Sequence, residues 1–375
     1  MGKLYFYEAI ATLVGCTIGA GILGIPYVVA KSGFLIGFID IVLIGLAVMF
    51  INLYLGEVVL RTNGNHQLTG YAEIYLGKKG KFLMVISILV GIYGALIAYL
   101  IGVGEALHAI FGLNAFTFSL LFFAFVTMII YFGLKIMKRI ELFFSFFVIS
   151  ILLLIIVLSF FHINLDNLTG VNLNNFMLPY GVILFAFLGA AAIPELKEEL
   201  NRNRKYMKKA IIIGGLIPLV LYILFCFVVV GVTGLNTSEI ATIGLGENLG
   251  KLAILFGNLF AVFAMSTSFL VLGIALKEVY MYDYHINKNI SWFLVCFVPL
   301  LIFILGIRSF ISTIGYAGAI AGGLDGVLIV LMAWKAKKIG KRKPEYKIVK
   351  GRFLGFVLML VFALGIIYQL FVWVL

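Results

Sequence analysis

The sequence predicts an all-α membrane protein with eleven transmembrane helices, and three observations support this. Hydrophobic residues make up 63% of the 375 and charged residues only 12%, with a mean hydropathy of +1.17. A soluble domain averages about 45–50% apolar and about 25% charged residues, so most of this chain must face lipid. The apolar stretches are long and continuous, as bilayer-spanning helices of roughly 20 residues require. Finally, the charge of the connecting loops alternates along the chain.

The predicted spans are the eleven long apolar stretches. Each is bounded by charged or polar residues. They cover residues 5–30, 33–60, 81–110, 116–133, 142–161, 176–194, 207–231, 249–276, 291–307, 312–334 and 353–375.

Basic residues gather on one side of the predicted membrane. The N-terminal segment and the even-numbered loops contain 25 of the 28 lysines and arginines, and the exceptions are Lys31, Lys251 and Arg308. The positive-inside rule then places the N-terminus in the cytoplasm and the C-terminus outside, in a multi-pass protein of the cell membrane. The formal charge of +12 therefore reflects topology and contact with anionic lipid rather than nucleic acid.

Two spans carry residues that an uninterrupted helix avoids. Span one contains GCTIGAGILGIP at 15–26, and span six contains FAFLGAAAIP at 185–194. Glycine weakens a helix and proline removes one of its hydrogen bonds, so both spans are predicted to unwind in mid-membrane. Unwound backbone at that depth is tolerated only where it is buried in protein or lines a cavity. Such a pair in two matching halves indicates the binding site of a transporter.

The broken spans are five apart, which predicts an inverted repeat. An odd number of spans per repeat turns the second half upside down relative to the first. The predicted units are residues 1–170 with broken span one, residues 171–338 with broken span six, and residues 339–375 with a basic cytoplasmic loop and the eleventh helix.

Several stretches resemble the aromatic and hydroxy amino acid permeases, a tyrosine/tryptophan permease-like group. They belong with the amino acid/auxin permeases in the amino acid-polyamine-organocation superfamily. The resemblance implies the five-plus-five inverted-repeat fold of bacterial leucine transporters, with one helix added at the C-terminus. It also implies secondary transport of a neutral or aromatic amino acid. The similar stretches are 15–26 with SGF at 32–34, KKAIIIGGLIPLVLY at 208–222, STSFL at 266–270, and GYAG at 315–318 with MAW at 332–334.

The resemblance further implies a substrate site at the two breaks. Backbone N–H groups of Ala20 and Gly21 would hold the substrate carboxylate, since a helix N-terminus favours an anion. Carbonyls of Thr17, Phe185 and Leu188 would take the ammonium group, and two phenylalanines would wall or gate the pocket. The six implied substrate-binding residues are Thr17, Ala20, Gly21, Phe185, Phe187 and Leu188.

A candidate sodium site comes from the same resemblance. It combines carbonyl oxygens of spans one and eight with two hydroxyl groups, and hard cations prefer oxygen ligands. Some relatives place a lysine of span five there and use protons, but residues 142–161 contain no lysine. Since similar aromatic permeases use protons, the coupling ion is Na⁺ or H⁺, and exchange without an ion is a further alternative. The implied ligands are Gly15, Ile18, Ala264, Thr267 and Ser268.

Four acidic residues lie inside or near spans. A charge at the bilayer centre costs about 2.5–3.5 kcal/mol and is a functional hypothesis by default. Asp325 lies near the middle of span ten, where the family usually has a small or apolar residue, so it is a candidate pathway or proton-carrying residue. Glu57 and Glu105 lie near span ends, within expected reach of water, whereas the position of Asp40 is ambiguous.

Other functional classes have less support. A membrane-embedded enzyme would need paired acids on a cytoplasmic loop, a Ser/His pair at depth or H-E-x-x-H, and the sequence has none of these. A channel would usually show a filter motif. The expected partners are therefore an amino acid, a coupling cation and the lipid bilayer, with no cofactor, no nucleic acid and no obligate protein partner.

Overall fold

The protein is helical throughout the described residues. The computed structural model describes the backbone of residues 2–132, 137–201, 203–348 and 351–374, and no β-strand occurs in these ranges. It describes the side chains of residues 5–132, 148–201, 203–281, 284–348 and 351–371. The predicted ends of spans four and eleven, Gly133 and Leu375, lie outside the described residues.

Six α-helices occur among the described residues of the first half of the chain. A 3₁₀ turn, Ala20–Gly24, separates the first two. The fourth begins at Leu68, earlier than the predicted start at Lys81, and bends at Gly77, whose φ of 75° favours glycine. The helices are α1 (Gly2–Thr17), α2 (Ile25–Ser32), α3 (Phe34–Arg61), α4 (Leu68–Phe111), α5 (Ala115–Phe132) and α6 (Met137–Phe160).

In the second half, the part of the chain that the structure describes contains nine α-helices. A π-helical turn, Gly318–Gly322, interrupts the tenth predicted span. The short loop helix α10 has no counterpart among the predicted spans. The helices are α7 (Leu178–Ala186), α8 (Ala192–Glu199), α9 (Met207–Thr233), α10 (Ala241–Leu249), α11 (Lys251–Glu278), α12 (Lys288–Ile304), α13 (Phe310–Ala317), α14 (Gly323–Ile339) and α15 (Gly351–Val374).

Within the described residues every predicted span overlaps helix, but the count of eleven membrane crossings stays a prediction. Seven helices in the described residues are long and apolar enough to cross a membrane. An eighth span is the bent pair Tyr5–Thr17 and Ala20–Ser32, whose halves meet at 50°. The fifth, sixth and ninth predicted spans do not contain a fully described apolar helix of at least 18 residues. Span six is broken, α12 is short, and the described side chains of α6 begin only at Val148.

The two broken helices cross in opposite directions at the centre of the molecule. Helix α1 packs on α8, and α2 packs on α7, so the first half of each broken helix meets the second half of the other. The flanking helices pair in the same order, with α3 against α9, α4 against α11 and α5 against α12. This is the arrangement that an inverted repeat produces, and it brings both breaks together.

The loop before α15 is fastened to the end of α3. In residues 340–348, hereafter the strap, the backbone N–H of Ile348 donates to Glu57 at 3.0 Å. The Glu57 carboxylate also pairs with Arg61 at 2.8 Å and Lys337 at 3.7 Å, and it is only 1% exposed. The expectation that Glu57 reaches water is therefore wrong, because the strap covers it. Glu105 is exposed, as expected.

Candidate functional site

The break in the first helix leaves a new helical N-terminus in the protein interior. Gly19 is extended, with φ −119° and ψ −157°, and the helical turn resumes at Ala20. The second break spans residues 187–191, between α7 and α8. The two breaks touch, because a Cβ atom at Gly21 would lie 2.8 Å from Cα of Ala186. Only glycine at position 21 permits this approach.

One tyrosine bridges both breaks. The Tyr222 hydroxyl on α9 lies 2.9 Å from the carbonyl oxygen of Thr17 and 2.8 Å from that of Ala186. Tyr222 is fully buried. Sequence reasoning assigned it no role, although it ends the 208–222 stretch that resembles the permeases.

A cavity of about 220 Å³, hereafter the central cavity, lies at the breaks. Its wall on α4 runs from Ser87 to Tyr99, and Leu68, the first residue of that helix, also lines it. Ten of the twelve predicted site residues line either this cavity or the smaller cavity beside it. Those that line the central cavity are Thr17, Gly21, Phe185, Leu188 and Asp325.

Two predicted substrate residues do not line the central cavity. Ala20 is fully buried behind the break. The Phe187 ring packs against Tyr222, with centroids 4.9 Å apart, and lies close to Gly45 of α3. Their predicted roles are untested, and in this conformation Phe187 faces the α3–α9 side rather than the central cavity.

The five predicted cation ligands line one smaller cavity. This side cavity has a volume of about 130 Å³. Residues of α1 and the first break bound it on one side, and residues of α11 bound it on another. It shares Cys16, Gly19, Tyr99 and Leu272 with the central cavity, so the two adjoin. The residues from the prediction in this lining are Gly15, Ile18, Ala264, Thr267 and Ser268.

The two hydroxyls of the side cavity are held differently. Thr267 donates to the carbonyls of Phe263 and Ala264, each at 3.0 Å. Such back-bonding is ordinary in membrane helices and leaves oxygen lone pairs unused. The Ser268 hydroxyl lies across from break one, since a Cβ atom at Gly19 would be 3.6 Å from it. Residues of α1, of the first break and of α11 thus line the side cavity together.

Asp325 has a specific partner in the central cavity. The Ser87 hydroxyl on α4 lies 2.7 Å from Oδ1 of Asp325 and 2.8 Å from the carbonyl oxygen of Ala321. Ser87 was not singled out from the sequence, because a serine in an apolar helix carries no distinguishing signal. Asp40 and Glu105 line neither cavity among the described residues.

This bundle, with two crossed broken helices and a cavity where they meet, defines a secondary transporter of the inverted-repeat type. The chain belongs to the tryptophan/tyrosine permease family, whose family model matches residues 5–372. The predicted family is therefore confirmed, and the chain is a multi-pass membrane protein.

Curated relatives cover most of the chain. It is 28% identical to "Tyrosine-specific transport system 1" of Haemophilus influenzae, over 95% of this chain and 93% of that protein. It is 25% identical to "Glutamine transporter 2" of Aliivibrio fischeri, over 82% and 83%. A "Tryptophan-specific transport protein" of H. influenzae is 31% identical over 48% of this chain and 47% of the relative.

A solved structure confirms the fold class. The crystal structure of MhsT in complex with L-phenylalanine superimposes with a TM-score of 0.66 at 14% identity, covering 98% of both chains. That identity supports the fold alone. Family and relatives are amino acid transporters, so the prediction of an amino acid transporter rather than an enzyme is confirmed.

Proposed function

We propose that the protein is a cation-coupled symporter of neutral amino acids with a preference for aromatic side chains. The observation that supports this most is that the central cavity, at the breaks, adjoins a side cavity whose lining includes the hydroxyl-bearing residues Thr267 and Ser268. Four residues are common to both linings, so an ion in one cavity and a substrate in the other would share walls. Because the walls are shared, an ion bound in one cavity would change the contacts available to a substrate in the other, as coupling between two sites requires.

The substrate class follows from the relatives and from the cavity wall. The relatives are named for tyrosine, glutamine and tryptophan, and each of these side chains ends in an O–H or N–H group. Along α4 the wall of the central cavity is formed by Ile88, Gly91, Ile92 and Ala95. This surface is apolar and therefore suits an aromatic ring, while Gly91 lets α4 pack closely on Ala321.

The substrate backbone would bind at the breaks. The N–H groups of Ala20 and Gly21 open the second half of the first broken helix and suit a carboxylate. Carbonyls of Thr17, Phe185 and Leu188 suit an ammonium group. Phe185 lies in the cavity wall, and Phe187 would act as a gate only after moving from its packing on Tyr222.

We infer Na⁺ as the coupling ion, held in the side cavity by Gly15, Ile18, Ala264, Thr267 and Ser268. The carbonyl and hydroxyl oxygens suit a hard cation. No resident cofactor is expected.

Proton coupling is the second candidate, and one observation favours it. Ser87 has a single hydroxyl hydrogen but two acceptors nearby, Oδ1 of Asp325 and the Ala321 carbonyl. Both contacts are satisfied together when the Asp325 carboxyl group is protonated. Its O–H then donates a hydrogen bond to the Ser87 oxygen, and the Ser87 hydroxyl donates to the Ala321 carbonyl. Asp325 would then bind and release the coupling proton.

We propose a cytoplasmic N-terminus and an extracellular C-terminus, on the basis of the positive-inside rule. The repeat units remain residues 1–170 and 171–338, with 339–375 added. A tag fused after Leu375 should be accessible from outside the cell. A cytoplasmic tag would contradict the span count.

Uptake into proteoliposomes tests the function and the ion together. Labelled tyrosine, tryptophan and glutamine are supplied under a sodium gradient at fixed pH, and then under a pH gradient without sodium. Sodium-driven uptake that Thr267→Ala weakens and Ser266→Ala leaves intact supports the side cavity, since Ser266 does not line it. Uptake driven by pH alone and lost in Asp325→Asn contradicts sodium coupling. Absence of any amino acid uptake contradicts the proposed function.

Amino acid esters provide a separate test of the carboxylate subsite. They should fail to compete with tyrosine, because they lack the anion that the breaks would bind. Esters are a cleaner probe than Gly21→Val, since any side chain at position 21 also collides with the backbone of Ala186. Competition by an ester as strong as by tyrosine would contradict the subsite.

A further inference from the structure

Asp325 lies where the wall of the central cavity meets the second break. A third cavity, of about 20 Å³, is lined by Asp325 together with Leu188, Gly189 and Ala190 of that break, and all four residues also line the central cavity. A cavity of this volume holds about one water molecule. A Cβ atom at Gly322 would lie only 3.1 Å from Cδ2 of Leu188. The acid and the second break are therefore close neighbours.

The carboxylate of Asp325 is held against α4. The Ser87 hydroxyl lies 2.7 Å from its Oδ1 atom and 2.8 Å from the carbonyl oxygen of Ala321. Ser87, Ala321 and Asp325 all belong to the lining of the central cavity. Ser87 is fully buried, whereas Asp325 is half-buried. The contact thus fixes one carboxylate oxygen in the wall that α4 and α14 form together.

The protein supplies no positive charge to balance this acid within the described residues. Asp325 is the one charged side chain among those that line the central cavity or the third cavity. An ionised carboxylate without a positive partner is unfavourable away from bulk water. The α-ammonium group of an amino acid is a positive charge that the substrate itself brings to the cavity. Acid and substrate therefore complement each other in charge.

The carbonyl oxygen of Leu188 indicates where the ammonium group would lie. Among the three carbonyls proposed for that group, Thr17 is already contacted by Tyr222 at 2.9 Å, and Phe185 accepts the N–H of Leu188 at 3.1 Å. The Leu188 carbonyl accepts no hydrogen bond within the described part of the chain. An ammonium group has three N–H donors, so it can donate to this carbonyl and also to the neighbouring acid.

We propose that Asp325 is a specificity-determining residue whose carboxylate pairs with the α-ammonium group of the bound amino acid. The inference rests on the proposed function, because it requires an amino acid whose carboxylate lies at the first break. It extends that function by making the site select amino acids over hydroxy acids, which carry no positive charge. Ser87 is a positioning residue, because its hydroxyl donates to Oδ1 and holds the carboxylate in the wall.

A pair of ligands on the wild-type protein tests the proposal first. Labelled tyrosine bound to purified protein is displaced by unlabelled tyrosine or by 4-hydroxyphenyllactate, at fixed sodium concentration and pH. The second ligand keeps the ring and the carboxylate and has a hydroxyl group in place of the ammonium group. We expect it to bind about 100-fold more weakly or worse, because loss of one partner of a buried charge pair is costly.

Variants then assign the preference to Asp325. In Asp325→Asn the charge is lost while an oxygen that can accept from Ser87 remains. Tyrosine should bind about 30-fold more weakly or worse, whereas 4-hydroxyphenyllactate should bind at least as well as to the wild type. Asp40→Asn makes the same change at an acid that lines none of the three cavities and should preserve the wild-type ratio. Asp325→Ser is a second neutral variant if Asp325→Asn does not fold.

The outcomes are distinct. Equal binding of the two ligands to the wild type overturns this inference while leaving amino acid transport intact. A large wild-type ratio that the neutral variants preserve also overturns it, since carbonyl groups alone would then hold the ammonium group. If the purified protein binds none of tyrosine, tryptophan and glutamine, the proposed function fails and this inference fails with it.

Discussion

The hydroxyl of Tyr222 lies 2.9 Å from the carbonyl oxygen of Thr17, the residue at which the first broken helix stops. The same hydroxyl lies 2.8 Å from the carbonyl of Ala186, where the other broken helix stops. A helix that ends in the protein interior leaves carbonyl groups without partners. The single hydroxyl hydrogen of Tyr222 lies within reach of both carbonyls, and the contact ties both helix ends to α9.

Tyr222→Phe should therefore loosen the breaks. It removes the hydroxyl group and with it the one donor that the two buried carbonyls share, at a cost of about 1–3 kcal/mol. We expect a lower melting temperature in detergent and an uptake rate reduced about tenfold. Tyr7→Phe is the matched control, since Tyr7 is 64% exposed. Equal behaviour of the two variants would contradict the bridging role.

Cys16 should report occupancy of the cavities. It is exposed and lines both of them, whereas Cys226 and Cys296 are buried. A maleimide should modify one site per chain, and bound substrate should slow the reaction by covering it. Intact-protein mass spectrometry over time, with and without tyrosine, measures both effects. If Cys16→Ser is still modified, Cys16 is not the reactive site. If tyrosine does not slow the reaction, bound substrate does not cover Cys16.

Glu57→Gln should destabilise the strap. The carboxylate is almost fully buried and joins Arg61, Lys337 and the N–H of Ile348. Loss of one partner of a buried ion pair is costly, and we expect about 2–3 kcal/mol of lost stability. Glu73→Gln is the control, because the Glu73–Lys81 pair is exposed and contributes about 1 kcal/mol at most. Thermal unfolding measures both variants. Indistinguishable curves for Glu57→Gln and Glu73→Gln would show that the strap does not depend on Glu57.

Lys197 should make stability depend on alkaline pH. Its ammonium group donates to the carbonyls of Thr62 and Gly64 beyond the end of α3. Burial, with Arg204 and Arg342 nearby, lowers the pKa of Lys197 from 10.5 to about 8. Between these values the unfolded chain binds a proton that the folded chain does not, so this residue raises stability as pH increases.

The test for Lys197 is a comparison of melting temperatures from pH about 8 to about 10. Lys197→Met should lose the part of the pH slope that this side chain contributes. Lys209→Met, at an exposed position, should keep the wild-type slope. Parallel curves for all three proteins would contradict the lowered pKa.

Much of the fold could be predicted from local sequence properties. Apolar length indicates helices in lipid, and the density of glycine around Gly19 indicates an unwound segment, because each effect acts within a few residues. The early start of α4 at Leu68 was missed, since its first turns are charged and do not resemble a membrane span. The loop helix α10 was missed because it is short.

Contacts between distant helices were beyond such reasoning. Asp325 could be singled out because a mid-membrane charge is costly, but its partner Ser87 lies 238 residues away in sequence. Tyr222 is one of 18 tyrosines, and nothing in its neighbourhood indicates that it reaches two helix ends. Glu57 was misjudged because the strap that buries it comes from the other end of the chain.

The C-terminal helix α15 also contributes to the surroundings of Asp325. Phe362, 1% exposed, fills the space over Gly326 and closes a cavity of about 20 Å³ that Asp325 shares with Asn52. Without α15 this acid would have only acyl chains on that side, where a charge is costly. The acid and the helix should therefore have evolved together. Family members that lack a counterpart of α15 should carry an apolar or small residue at the position of Asp325.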